Sequence, residues 1–263
     1  MARTAQALVL VMLGAVLIRI SATGEYLNYV RPGLGPYLAV AGVFFLVLGA
    51  IGLVRDFRAQ DEARRAAAAR RAWARTRTHG PGAVTTPATP AAHDHGHGHD
   101  EWYGHGSGWL LCVPLFLLLV LPPPALGSYA AGRAGASAPE PAAGATYATL
   151  PTATTLTVRD YAIRAVWDEG RTLSGHRITL TGFADTTATD TWYLTRMHVT
   201  CCAADAQAAK VEVLGSPTRF ARGQWVTVTG TWLASDPDDL NGTVARIQVA
   251  EIRATDQPTN PYE

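Results

Sequence analysis

The sequence predicts a membrane α-helical amino-terminal region of three spans, followed by an all-β carboxy-terminal domain, an OB-like five-stranded barrel. Two patterns carry this expectation. Apolar residues gather in three nearly uncharged runs before residue 126, and the last hundred or so residues alternate as short strands punctuated by glycine. Of 263 residues, 48% are hydrophobic and only 16% charged, which argues against a freely soluble single-domain enzyme. With 22 Lys+Arg against 21 Asp+Glu the net charge is +1, too little basic excess for a nucleic-acid binder. Lys210 is the only lysine.

The first run, residues 5–20, is broken only by Gln6 and Arg19, and with its flanks it is about long enough to cross ~30 Å of hydrocarbon. A cleaved signal peptide is the rival reading. It is disfavoured by the poor small-residue site before Thr23 and by Arg19, which interrupts the end of the apolar region. The second run, residues 37–54, carries no charge and includes Gly42, Gly49, Ala50 and Gly52, small residues that permit close helix packing in lipid. The third run, residues 109–121, precedes Pro122, Pro123 and Pro124, so a helix must end there. It spans if its flanks lie in the interfaces; a re-entrant or interfacial helix is the alternative, and would return the last domain to the cytoplasm.

Between the second and third runs, residues 57–77 are rich in Ala and Arg and form a strong helix signal. Arg55, Arg58, Arg64, Arg65, Arg70, Arg71, Arg75 and Arg77 outnumber Asp56, Asp61 and Glu62, whereas the loop between the first two runs holds only Arg31 and Glu25 beyond Arg19. Basic residues are retained in the cytoplasm, so the amino terminus and the long middle loop are expected inside the cell. The short loop at residues 24–36 and the carboxy-terminal domain are then outside. The expected division is two spans within 1–54, a cytoplasmic Arg-rich helix and His-rich loop at 55–107, a third span at 108–126, a linker at 127–155 and the β domain at 156–263. Residues 80–92 and 130–155 are Ala-rich, Pro-containing stretches with too few large apolar residues to fold.

The terminal domain opens with a short helix signal at residues 158–168, where Tyr161, Ile163, Val166 and Trp167 form an apolar stripe. Five strands follow, at 176–183, 192–200, 210–214, 225–232 and 244–252, and two of them end in Thr-Gly. Five short strands with glycines at the bends fit a Greek-key barrel, with a small sandwich as runner-up. Trp192, Tyr193, Trp225 and Trp232 are read as core rather than as a stacking platform.

Two constellations carry chemistry. His93, His95, His97 and His99 alternate with Asp94, Gly96 and Gly98, followed by Asp100, Glu101 and His105. Imidazoles at every second residue of a Gly-rich backbone can converge on one divalent ion, as a loose collector rather than a closed site. The second is Cys201-Cys202-Ala203-Ala204-Asp205, preceded by Arg196, Met197 and His198. Adjacent cysteines rarely pair, because the ring so formed is strained, and Cys112 lies in the third run. On a continuing strand Cys201 and Cys202 point to opposite faces, and His198 and Cys202 stand about 13 Å apart. If the chain turns at Cys201, Cys202 and Asp205 share a face and can be joint ligands. A thiolate site for Zn or another soft metal, a redox pair, and one buried core cysteine with an incidental neighbour all remain open. Asp236, Asp238 and Asp239 read as a solvated turn. No nucleophile elbow, Walker loop, dinucleotide fingerprint or HExxH helix is present.

The stretches GEYLNYVRPGLGPYLAVAG, LPPPALG, GHRITLTGF and above all YLTRMHVTCCAADAQ resemble the YcgQ-like family of two-component permease subunits. The resemblance covers nearly the whole chain, and the family's CCAAD stretch falls on Cys201, Cys202 and Asp205. It implies an accessory, non-enzymatic membrane subunit working beside a polytopic permease subunit in settings linked to zinc homeostasis. The competing reading is a membrane-anchored extracellular ligand-binding or metal-sensing module acting without a permease.

Overall fold

The structure, a computed structural model, describes residues 2–78, 108–121, 123–186, 191–238 and 242–263. The histidine run at 93–105 and Asp239 lie outside the described residues. The chain divides into two compact units. One comprises residues 1–23 and 36–123, the other residues 24–35 and 124–263.

In the first unit, helices α1 (Ala2–Thr23) and α2 (Gly35–Thr78) contain the only two helices, among the described residues, that are long and apolar enough to cross a membrane. They meet through small residues, as the sequence suggested. A Cβ on Gly42 would stand 2.8 Å from the Ile18 side chain, and one on Gly49 would stand 2.9 Å from the Ala7 carbonyl. Only glycine allows the backbones this close. Apolar side chains of α2, including Tyr37, Val40, Phe44 and Val47, are exposed. The second apolar run and the Arg-rich segment form one continuous helix of 44 residues. Nothing between Val54 and Thr78 breaks it, since alanine and arginine are both strong helix formers.

The third run differs from expectation. A 3-10 turn (Gly108–Leu111) leads into α3 (Cys112–Val120), an α-helix of only nine residues. The two together rise about 21 Å, short of the ~30 Å hydrocarbon core. Among the described residues there are therefore two full-length candidate spans rather than three. The physical reason lies in the prolines. Pro122 to Pro124 forbid continuation, and Pro114 is compatible with α3 only because it sits in the first helical turn.

In the second unit, β2 (Arg177–Thr186), β3 (Trp192–His198), β4 (Gln207–Leu214), β5 (Trp225–Leu233) and β6 (Ala245–Ala254) close a barrel. The order is β2-β3-β4-β6-β5, with β5 returning to β2, and β4 beside β6 is the one parallel pair of the closed ring. This is the expected five-strand Greek-key barrel. A short strand β1 (Ala153–Thr155) adds parallel to β2. Gly230 sits at a register shift between β5 and β6, where a Cβ would stand 2.2 Å from the Gln248 carbonyl oxygen. Glycine is thus required where the barrel bends.

Helix α5 (Val158–Trp167) packs Val158, Tyr161, Ala162 and Ala165 into the barrel core with Leu180, Leu194, Val211, Val228 and Ile247. Its first turn is held twice. Thr157 Oγ1 accepts from Asp160 N at 2.9 Å, and the Glu263 side chain accepts from Val158 N and Arg159 N at 2.8 and 3.1 Å. Trp192 and Tyr193 are buried, and Trp225 and Trp232 pack against the cores, so the aromatics serve packing.

Residues 130–155, expected to be an unfolded linker, instead lie along the barrel. A short helix α4 (Ser128–Ala131) runs into their start, Ala131 and Ala138 are buried, Ala138 N donates to Thr243 O, and Lys210 Nζ donates to Ala134 O. Small side chains let the backbone approach closely enough for hydrogen bonds to replace the missing apolar bulk. Lys210 also pairs with Asp185, both nearly fully buried, and Arg222 takes the other oxygen of that carboxylate.

Candidate metal centre

Strand β3 ends at His198, and the chain turns rather than continuing. Val199 N donates to the Glu263 carbonyl, and residues Ala203–Asp205 form a single 3-10 turn. The turn closes because Asp205 folds back over the segment just before it. Its Oδ1 accepts from Thr200 N at 2.9 Å, and its Oδ2 accepts from Cys201 N at 2.8 Å and, at 3.5 Å, from Cys202 N. In return the Asp205 amide donates to the Cys202 carbonyl at 3.0 Å. A carboxylate accepting several amides is the reason this turn has Asp at its third position.

The turn brings together three of the residues singled out from sequence. Cys201 Sγ and Cys202 Sγ are 3.6 Å apart, and one ligand atom from each of Cys201, Cys202 and Asp205 lies within 4.8 Å of the others. Cys201 is exposed and the other two are half-buried. All three cysteines are free thiols. Tetrahedral Zn with Zn–S near 2.3 Å requires sulfurs about 3.8 Å apart. The thiols are already near that separation, and thiolate sulfur is the donor that soft and borderline ions select. The donor set therefore fits Zn, with two sulfurs and one carboxylate oxygen. That makes three ligands, an open set of the kind that leaves a position for an exchanging group rather than the closed four of a structural site.

The hydrogen bond from Cys201, with the amides of Cys201 and Thr200, holds the Asp205 carboxyl down at about 2. The same bond, with the one that Cys201 Sγ donates to Cys202 Sγ, raises the Cys201 thiol to about 11. In the metal-free protein the Asp205 charge is thus fixed and Cys201 keeps its proton for a metal to displace. His198, two residues before the turn, stays outside the ligand group among the described residues. Burial and the nearby Arg159 hold its imidazole below the ordinary value, against the Glu263 carbonyl and Asp205. Beside the turn runs an open groove of about 610 Å³, bordered by Leu126, Met197, Ala203, Ala206 and Gln207.

Sequence reasoning missed a second set of neighbours. The loop at residues 24–35 belongs to the same unit as the barrel and pairs with the Cys turn. Val30 and Cys202 form an isolated antiparallel bridge, Arg31 N donates to Cys201 O at 3.1 Å, and Ala203 N donates to Tyr29 O at 2.7 Å. Tyr262, buried against Met197, accepts from Leu126 N and donates to Asn28 O at 2.8 Å. No local signal could have found these pairings, which join positions more than 130 residues apart through main-chain atoms. Arg196 holds the tail that carries Tyr262. Its guanidinium donates to Thr181 O and Asn260 O and lies 4.8 Å above the Trp225 ring.

Residues 5–137 match the family model for the DUF1980 N-terminal domain, and residues 155–263 match that for the DUF1980 C-terminal domain. No curated protein matches the chain.

Proposed function

The chain belongs to the DUF1980 family, and from that premise we propose that it is a non-enzymatic accessory subunit of a two-component permease that handles a soft divalent metal, with zinc the best fit. The observation that carries this reading is the thiol pair at 3.6 Å with the Asp205 carboxylate in reach. Three donors with a vacancy for an exchanging group suit capture and hand-over. The resemblance to YcgQ-like subunits supports the permease partner, and the spans suit a membrane location. His93, His95, His97, His99 and His105 are the proposed collector on the other face of the membrane.

Topology follows from counting crossings. If α1 and α2 both span, the 24–35 loop between them emerges opposite the Arg-rich end of α2, which basic residues hold in the cytoplasm. The loop is part of the same compact unit as the barrel, which supports an extracellular barrel. The chain between Thr78 and Pro124 must then cross back once. The apolar residues 108–121 are the one candidate, although their helix is short. Non-helical backbone at membrane depth is tolerated only under protein cover, and three elements rarely enclose a pathway. Both points favour a polytopic partner.

The test is purification from native membranes in mild detergent, followed by zinc titration against a chelating indicator. The reading expects one Zn per chain, lost when Cys201 and Cys202 are both replaced by Ser, and a stoichiometric polytopic protein in the same fraction. Zn binding without such a protein would favour the membrane-anchored sensing module. Absence of Zn binding would sink the metal reading.

A further inference from the structure

We infer that ion binding at the Cys201–Cys202 site controls the docking of the loop at residues 24–35: an ion held by the two sulfurs locks the loop onto the barrel, and its release frees it. The inference rests on the metal reading above and adds a regulated element to it.

The two residues that present sulfur outward are also the ones whose main chain holds the loop. The Cys201 carbonyl accepts from Arg31 N, Cys202 stands opposite Val30, and the next amide, Ala203 N, donates to Tyr29 O. Asp205 grips the amides of residues 200–202 through the same short segment. The backbone of residues 200–203 therefore serves two partners at once, the carboxylate that shapes the ligand group and the loop. The loop follows Thr23, the last residue of α1, and ends at Gly35, the first residue of α2.

The direction of the effect follows from geometry. The sulfurs are about as far apart as a tetrahedral ion requires, so an ion can close on them without turning the Cys201–Cys202 peptide and without breaking the bridge to Val30. Closing a ring through two adjacent side chains removes torsional freedom from residues 201 and 202, which stabilises the paired state over the unpaired one. The pairing is an isolated bridge beside an exposed cysteine, the kind of contact that opens locally and often. A third anchor, Tyr262 Oη to Asn28 O, involves no atom of the ligand group and keeps the loop near the barrel while the bridge opens. Coupling of this kind is reciprocal. The factor by which the ion protects the loop equals the factor by which the docked loop tightens the ion, typically 5-fold to 150-fold.

Arg31 offers a clean probe. Its φ and ψ are −60° and 145°, the values proline prefers, so Arg31→Pro deletes the N–H that reaches Cys201 O while leaving the local backbone path intact. Arg31→Ala removes the same side chain and keeps the N–H. The experiment is hydrogen exchange read by mass spectrometry on the full chain in detergent, with Zn(II) or with chelator, alongside zinc affinities of both variants. The inference expects at least ~5-fold slower exchange in loop peptides at saturating Zn. It further expects an affinity weakened by the same factor in Arg31→Pro but not in Arg31→Ala. Zn that binds through the cysteines while loop exchange stays unchanged, or equal affinities in the two variants, would overturn the inference and leave the metal site standing. Failure of Zn to bind at all would overturn both.

Discussion

Replacing Arg196 by Ala should destabilise the barrel unit by about 3 kcal/mol. The guanidinium is 7% exposed, donates to the carbonyls of Thr181 at 3.2 Å and Asn260 at 2.8 Å, and covers the Trp225 ring. Each bond from a charged donor to a buried acceptor is worth about 1.5–3 kcal/mol, and the ring contact adds roughly 0.5–2 kcal/mol. A figure just below the lower end of that sum, which is about 3.5 kcal/mol, is appropriate, because burial also disfavours the charge, as the lowered Arg196 pKa indicates. For a unit of roughly 150 residues, 3 kcal/mol lowers Tm by about 6–12 °C. The assay is thermal unfolding in detergent followed by tryptophan fluorescence, with Arg196→Lys, which retains charge but not the fork, falling between. The loss should also loosen the tail, whose Glu263 caps α5 and whose Tyr262 reaches Asn28. A Tm within about 2 °C of the parent would refute the role given to Arg196.

Other predictions follow from single contacts. Gly230→Ala places a methyl against the Gln248 carbonyl at the barrel bend and should cost about 1–3 kcal/mol or more, read by the same melting curves. Burial raises the Glu263 carboxyl above 4.5, against the amides of Val158 and Arg159 that favour its ionised form. A raised folded pKa means stability that is complete below about 4.5 and lost as pH rises through the folded value. Glu263→Gln should therefore flatten that part of the stability–pH curve, and an unchanged curve would contradict the assignment. Cys201 keeps its proton up to about 11, so zinc must displace it, and the apparent affinity should rise about tenfold per pH unit for each proton released. A pH-independent affinity in chelator competition would exclude Cys201 as a ligand.

The barrel was legible because its strands alternate and its turns carry glycine. The α5 stripe was legible in part: Tyr161 falls on the core, but Trp167 is exposed and the core face is completed by Val158, Ala162 and Ala165. Close packing of the first two helices showed in Gly42, Gly49 and Gly52. Only part of the third helix's length did: its end at the proline triplet was expected, but hydropathy takes no account of where Pro114 lets a helix begin. The 130–155 segment was misread because its order comes from main-chain bonds, such as Ala138 N to Thr243 O, that composition does not register. At the candidate metal centre, the donor types were visible in CCAAD, but the choice between strand and turn hung on Asp205 and on the loop at residues 24–35. Both act through backbone amides and carbonyls, which every sequence has.

The central claim is that Cys201 and Cys202 bind one ion together. X-ray absorption of the zinc-loaded full-length protein tests it most directly, because sulfur and oxygen or nitrogen ligands scatter at different distances. The account predicts two sulfurs near 2.3 Å with the remaining ligands near 2.0–2.2 Å, and loss of the sulfur shell in the Cys201→Ser, Cys202→Ser double variant. A first shell of nitrogen and oxygen alone, unchanged by that double replacement, would contradict it.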